Sequence, residues 1–171
     1  VICKSFVMKS SFRRVWKLNE DLGVEITPAT ATPEQYRLFI TYQESRHGDG
    51  DMANMDYGDY RSLVEETPID SFLTEFRNRD GVLVAACLSD RMKNGLSAVY
   101  SFFDPAMSRK SLGTFMVLYL IEQAKALSLP YVYLGFWIET SRKMSYKSRF
   151  QPMEAFTPDG WRPLVVEKKK K

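Results

Sequence analysis

Cysteine and histidine are almost missing from this chain. Of its 171 residues two are cysteine, Cys3 and Cys87, and one is histidine, His47. Two cysteines cannot make a disulfide framework, nor on their own a structural zinc site. A single histidine excludes multi-histidine metal chemistry. Long apolar runs are lacking too: none reaches the roughly 18 residues of a membrane-spanning helix. The opening stretch, VICKSFVMKSSFRR, has neither the apolar core nor the small-residue cleavage site of a secretory signal, so a cytoplasmic location is expected. No Gly-x-Ser-x-Gly, His-Glu-x-x-His, P-loop or Rossmann glycine pattern occurs. There is no internal repeat and no low-complexity linker. The chain opens on Val1 rather than Met, which is read as an N-terminal portion lying outside it.

What is present is a folded composition, 44% apolar, 13% aromatic and 26% charged, at the length of one domain. Such a chain buries well over half of its unfolded surface without a metal or disulfide staple. The net charge of +3 hides a division. Residues 1–18 carry +5, residues 19–108 carry −9, residues 109–150 carry +5, residues 151–167 carry −2, and Lys168 to Lys171 add +4. An acidic half and a basic half point to a polyanionic partner at the basic one.

The pattern predicts a definite order of elements. GVEIT (23–27) alternates as a strand. Thr32-Pro33-Glu34-Gln35 starts a helix, with Thr32 as cap and Gln35 three residues on, and a loop is read over 44–56. A second helix is read over 57–66. Strands 71–78, 82–89 and 96–104 are joined by Asp80-Gly81 and Asn94-Gly95, which are strong hairpin signals. Ser111 is read as the cap of a buried helix over 112–128. Tyr131 to Ile138 reads as a covered strand, 140–149 as a short basic helix and 153–156 as a last strand. An antiparallel meander, a crossover helix and a further strand is the order of the GNAT acyltransferase fold. The expected architecture is therefore α/β (α+β), a mixed central sheet with helices on both faces. Fold-level analogy does not fix chemistry.

Three stretches bear on chemistry. GNAT enzymes hold an acyl-CoA pyrophosphate on a glycine-rich turn at a helix N-terminus. Here that turn reads Arg109-Lys110-Ser111-Leu112-Gly113-Thr114, with one glycine at the wrong spacing. It suits either an ordinary capped helix or another phosphate, and acyl-CoA is not the default donor. SRKMSYKSRF (141–150) sets Arg142, Lys143, Lys147 and Arg149 among Tyr146 and Phe150. That is either a solvated helix face or a nucleic-acid contact in which cations meet phosphates and rings meet bases. The loop around His47 does not fit a calcium site; His47 is a general base or, more in keeping with a loop position, a structural or substrate contact. Cys87, inside VLVAACLS, reads as a buried inert thiol.

Together RHGDGDM, SAVYSFFDP, RKSLGT, YVYLGFWI and RKMSYKSRFQP resemble the aminoacyl-tRNA–protein transferases. The resemblance runs from about Phe12 to Trp161 and is strongest to the bacterial aspartate/glutamate leucyltransferases, relatives of the arginyl-tRNA–protein transferases. It implies a GNAT-like catalytic domain over 23–166, preceded by a remnant N-terminal segment (1–22) and followed by a lysine tail (167–171). Family members carry a cysteine-rich N-terminal segment; here only Cys3 stands near it, so no metal or iron–sulfur binding is carried over.

The implied reaction moves leucine from Leu-tRNA to the N-terminal amine of proteins beginning with Asp or Glu, feeding the N-degron (N-end rule) pathway. No cofactor is implied, because the aminoacyl ester is already activated. The partners are the 3′ acceptor end of an aminoacyl-tRNA and an acidic protein N-terminus; no membrane partner is implied. Tyr100, Ser101 and Asp104 are expected at the reaction centre, Asp104 as a proton acceptor directly or through water. Arg109, Ser111, Gly113 and Thr114 are expected at the tRNA end. Tyr133, Gly135 and Trp137 line the next strand, and Lys143, Tyr146, Lys147 and Arg149 bind tRNA phosphate or the acceptor's carboxylate. The competing readings are an arginyl donor, an acyl-CoA-dependent N-acetyltransferase and a non-catalytic RNA-binding module.

Overall fold

The computed structural model describes residues 1–47, 50–138, 140–141 and 144–165. Its elements in chain order are α1 (Ser10–Leu18), β1 (Gly23–Pro28), α2 (Pro33–His47), α3 (Tyr57–Glu65), β2 (Ser71–Arg77), β3 (Leu83–Met92), β4 (Gly95–Phe103), α4 (Leu112–Ala126), β5 (Tyr131–Tyr133), β6 (Glu154–Thr157) and β7 (Gly160–Pro163). Short 3-10 turns occupy Cys3–Ser5, Asp51–Asn54, Pro105–Lys110 and Ser145–Arg149.

The central sheet runs β1-β2-β3-β4-β5. The first four strands are antiparallel neighbours, and β5 lies parallel to β4 after the crossover through α4. Turn chemistry drives the meander, since Gly81 takes φ +79°, which costs glycine little. Each face of the sheet is covered. On one, α4 buries Phe115, Leu118, Ile121 and Ala124 against Phe76 and Val132, with Phe12 and Phe150 in the same cluster. Val1, Cys3, Phe6, Val15 and Leu22 of the first 22 residues belong to this core as well. On the other face, Phe39 of α2 and Tyr60 and Val64 of α3 pack over Leu73 and Phe102.

Polar groups fix α2 to the sheet. Thr32 and Gln35 cap its start reciprocally, Gln35 N to Thr32 Oγ1 at 3.2 Å and Thr32 N to Gln35 Oε1 at 2.9 Å. The same Gln35 donates through Nε2 to buried Glu75 at 2.7 Å. Arg77 bonds both Glu75 and Glu34, which holds the Glu34 carboxyl below its ordinary range, chiefly through that hydrogen bond.

Several elements depart from the sequence pattern. The strand expected over 131–138 ends at Tyr133, because Gly135 turns into the left-handed region at φ +71°. The basic helix expected over 140–149 is a 3-10 turn over Ser145–Arg149; Arg142 and Lys143 lie outside the described residues, as does the lysine tail. The last strand pairs with β7 in a separate two-stranded sheet, not with the central one. Helix α1, which carries no proline, glycine or acidic start signal, went unread. His47 is not in a loop: it is the last residue of α2.

Gly95 decides how closely β5 can approach. A Cβ there would lie 2.5 Å from the Tyr131 carbonyl oxygen and 2.9 Å from a Tyr133 ring carbon. Gly95→Ala is therefore expected to destabilise the fold by about 1–3 kcal/mol through overpacking, read as a lowered midpoint in urea unfolding.

Candidate functional site

Strands β4 and β5 pair at three positions only, Gly95 with Tyr131, Leu96 with Val132 and Ser97 with Tyr133. Beyond them the chains part, and a cleft of about 200 Å³ opens between β4 and the stretch after β5. A bulge on β4 shapes it. Leu88 pairs with Tyr100 and Ser89 with Ala98, so Val99 is an extra residue on β4. The insertion shifts the alternation: Leu96 and Ala98 face the α4 core, and so does Phe103, whereas Tyr100 and Phe102 pack with Phe39. Bulges re-aim side chains in this way.

Helix α4 supplies the cleft's apolar wall with Met116, Val117 and Leu120, and Leu134 faces them. Tyr42, Tyr100, Ser101, Tyr146 and Lys147 bring the polar groups. Fully buried Gln43 donates through Nε2 to the Tyr100 hydroxyl at 2.8 Å, so the Tyr100 O–H is left to donate. Burial raises the Tyr100 and Tyr146 phenols above their ordinary values, and both stay protonated donors at neutral pH. Cys87 lines the cleft too, and burial pushes its thiol up to about 11, keeping it uncharged. Among the described residues Lys147 is the one cation on the cleft's lining, and no carboxylate lines it. Its ammonium donates to the Phe136 carbonyl at 2.7 Å, and desolvation lowers its pKa.

A second cavity, about 660 Å³, lies between the stretch that continues β5 and the β6–β7 hairpin. Tyr133, Gly135, Trp137 and Lys147 line it; it shares Leu134 and Lys147 with the first. Tyr133 also bonds Asn94 at 3.0 Å through its hydroxyl.

The remaining expected residues sit elsewhere. Asp104 directly follows β4, and its Oδ1 accepts from Ala106 N at 2.9 Å, capping the 3-10 turn there. Ser111 stands at the start of α4 but in the left-handed conformation, φ 53°, and its side chain makes no capping bond. Gly113 serves packing, since a Cβ would come within 3.3 Å of the Phe103 ring. Thr114 follows in the first turn of α4, and Arg109 is exposed just before it. Lys110 is engaged, its ammonium 2.7 Å from Asp21 and its carbonyl accepting from Asn19. Arg149 covers the Phe12 ring at 5.4 Å. None of these residues lines either cavity.

Residues outside the expected set also build the cleft: Tyr42, Gln43, Leu134 and the α4 residues Met116, Val117 and Leu120. A buried glutamine beside a tyrosine in α2 was a signal, but only contact with Tyr100 gives it meaning. Among the described residues no group of His, Cys, Asp and Glu could hold a metal ion, and no helix is long and apolar enough to cross a membrane.

Residues 34–157 match the protein-family profile described as "Arginine-tRNA-protein transferase, C terminus". An aspartate/glutamate leucyltransferase of Paramagnetospirillum magneticum is 59% identical over 162 residues, 95% of this chain and 66% of that protein. One from Granulibacter bethesdensis is 49% identical over 165 residues, 96% of this chain and 62% of that protein. The chain thus spans less than two thirds of the length of these curated relatives. Among solved structures, L-PGS from Bacillus licheniformis superposes with a TM-score of 0.68 at 14% identity, over 95% of this chain and 57% of that one. An aminoglycoside acetyltransferase from an uncultured soil metagenomic sample gives 0.51 at 14%, over 88% and 97%. At such identities the likeness speaks for the fold alone, which is the GNAT-like acyltransferase fold.

Removing the Tyr100 hydroxyl leaves the buried Gln43 amide nitrogen without its partner. Tyr100→Phe is expected to cost about 1–3 kcal/mol of stability, measured by urea unfolding at neutral pH.

Proposed function

The chain belongs to the arginine-tRNA–protein transferase C-terminal family, and from that premise we infer that it transfers leucine from Leu-tRNA to the N-terminal amine of proteins beginning with Asp or Glu. The observation that carries this reading is the cleft at the parting of β4 and β5, apolar on one side and furnished with phenolic donors on the other.

The chemistry matches what the cleft offers. The α-amine attacks the carbonyl carbon of the leucyl ester, forming the peptide C–N bond. The tetrahedral oxyanion accepts hydrogen bonds from the Tyr100 and Tyr146 hydroxyls, fixed donors of the kind that stabilise such charge. The ester C–O bond then breaks, and the ribose oxygen leaves with the proton shed by the amine. An acceptor amine with a pKa of about 7.7–8.0 is free in roughly a tenth or more of molecules at pH 7, so no strong base is needed and positioning carries much of the rate. Ser101 lies beside the donors on β4.

Two features favour leucine over arginine in the donor. Met116, Val117, Leu120 and Leu134 suit a branched alkyl chain, and among the described residues the lining holds no carboxylate to meet a guanidinium. An arginine would instead face Lys147. That same cation suits the acceptor's acidic side chain as a charge-assisted partner. The reading places the reaction in cytoplasmic N-degron degradation.

Supplied with Leu-tRNA or Arg-tRNA and peptides beginning with Asp, Glu, Arg or Ala, the chain is expected to label the Asp and Glu peptides from Leu-tRNA only. Transfer from Arg-tRNA alone, or none from either, defeats the reading. Lys147→Ala is expected to raise the KM for Asp and Glu peptides about tenfold or more, corresponding to the roughly 1.5–3 kcal/mol of a hydrogen bond to a charged group, and to leave the KM for Leu-tRNA nearly unchanged. The rate at subsaturating peptide should rise with pH through about 8 as the acceptor amine deprotonates and level off only above about 9, which a pH–rate profile reads directly.

A further inference from the structure

We propose that the larger cavity, the aromatic slot between the continuation of β5 and the β6–β7 hairpin, is a stacking site for the unpaired nucleobases at the 3′ end of the donor tRNA. The proposal rests on the transferase reading above and adds where the nucleic acid lies.

Four aromatic rings follow one another along the slot. Tyr131 and Tyr133 have centroids 6.1 Å apart, Tyr133 and Trp161 6.1 Å, and Trp161 and Phe156 5.3 Å. Their planes are tilted by 42°, 55° and 59°, so no two of them stack in parallel on one another. Phe156 is 73% exposed and Trp161 54%, an unfavourable way to leave two large rings unless a partner covers them. Flat ligands with π-faces are what such rings take, and unpaired bases stack on them with little dependence on sequence. Trp137 lines the slot too, and its buried indole N–H finds no hydrogen-bond partner among the described residues.

Charge separates this occupant from the other substrate. Among the described residues the slot's lining sets one carboxylate, Glu154, beside one cation, Lys147. Lys147 stands where the slot meets the cleft and serves the acceptor's carboxylate from there, which leaves Glu154 within the slot to repel an acidic peptide. Position supports the assignment as well. The slot and the reaction cleft share Leu134 and Lys147, so a 3′ end seated among the rings presents its ester at the cleft from the far side of the β5 continuation. The side of the cleft facing α2 is left to the incoming amine.

The test measures binding of uncharged tRNA to the full chain by fluorescence anisotropy, using intact tRNA and the same tRNA trimmed back to its last base pair. Trimming is expected to weaken binding by wild type about tenfold or more. Trp161→Ala is expected to weaken binding of intact tRNA about fivefold or more, as loss of one stacked base does, and to leave binding of trimmed tRNA unchanged. Trp161→Phe, which keeps a ring, should retain most of the affinity. Phe156→Ala, on the same hairpin, repeats the measurement should Trp161→Ala lose its native circular dichroism. Equal affinity of wild type for the two tRNAs overturns the proposal. So does an equal loss by Trp161→Ala on both, or an unchanged tRNA affinity with a raised peptide KM, which assigns the slot to the acceptor. Because no transfer step is involved, failure of the transferase reading shows separately, as absent leucine transfer with this binding pattern intact.

Discussion

The short ladder between β4 and β5 governs the rest of the functional face. A parallel pair that continued would have put backbone hydrogen bonds where the cleft lies. Pairing stops after Ser97 and Tyr133, and two local devices keep it stopped. Val99 bulges on one side, and Gly135 turns left-handed on the other. The close contact at Gly95 acts as the hinge end of this opening, since only a residue without Cβ lets the Tyr131 carbonyl come so near. Crowding at one end and divergence at the other are two results of the same pairing.

The surroundings are built to hold that opening rigid. Helix α4 lies across one face of the sheet with eight buried residues, and the same helix provides the apolar wall. Helix α2 is tied to the other face by Gln35, Glu75 and Arg77, which places Gln43 under Tyr100. A buried amide that must bond the tyrosine oxygen restricts where the phenol can point, and that restriction suits a group meant to donate to charge developing in a transition state. The structure thus couples a stability requirement, satisfying Gln43, to the orientation that the proposed transfer uses.

The basic half of the chain proves less uniform than its summed charge. Lys110 is held by Asp21, Arg149 lies on Phe12, and Lys147 donates to a backbone carbonyl. Each cation has a local task before any nucleic acid arrives. The division of charge still favours a polyanion on that half, but contact with it falls to fewer side chains than a count of lysines and arginines suggests. The aromatic slot offers an attraction that salt does not screen.

Much of the fold was legible from local signals, because turn and capping chemistry act over a few residues. Asp80-Gly81 and Asn94-Gly95 marked the meander, Thr32 and Gln35 formed the capping box their spacing implied, and the apolar run of 112–126 is the buried helix. The motifs likewise placed the chain in its family. Local signals failed where long-range packing set the conformation. YVYLGFWI has the composition of a full strand, yet β4 accepts only its first three residues. Ser111 has a capping residue's chemistry, but the turn before it forces a positive φ. Tyr100 and Tyr146 stand within recognisable motifs, whereas Gln43, Met116 and Val117 are ordinary helix residues that gain a role only from what faces them across a cleft. Sequence alone determined the meander, the helices over 33–47, 57–65 and 112–126 and the family, which depend on neighbouring residues and on patterns that several motifs repeat. Tertiary structure alone decided where β4 and β5 separate, and therefore which side chains share the cleft, because separation depends on contacts between residues about thirty-five positions apart.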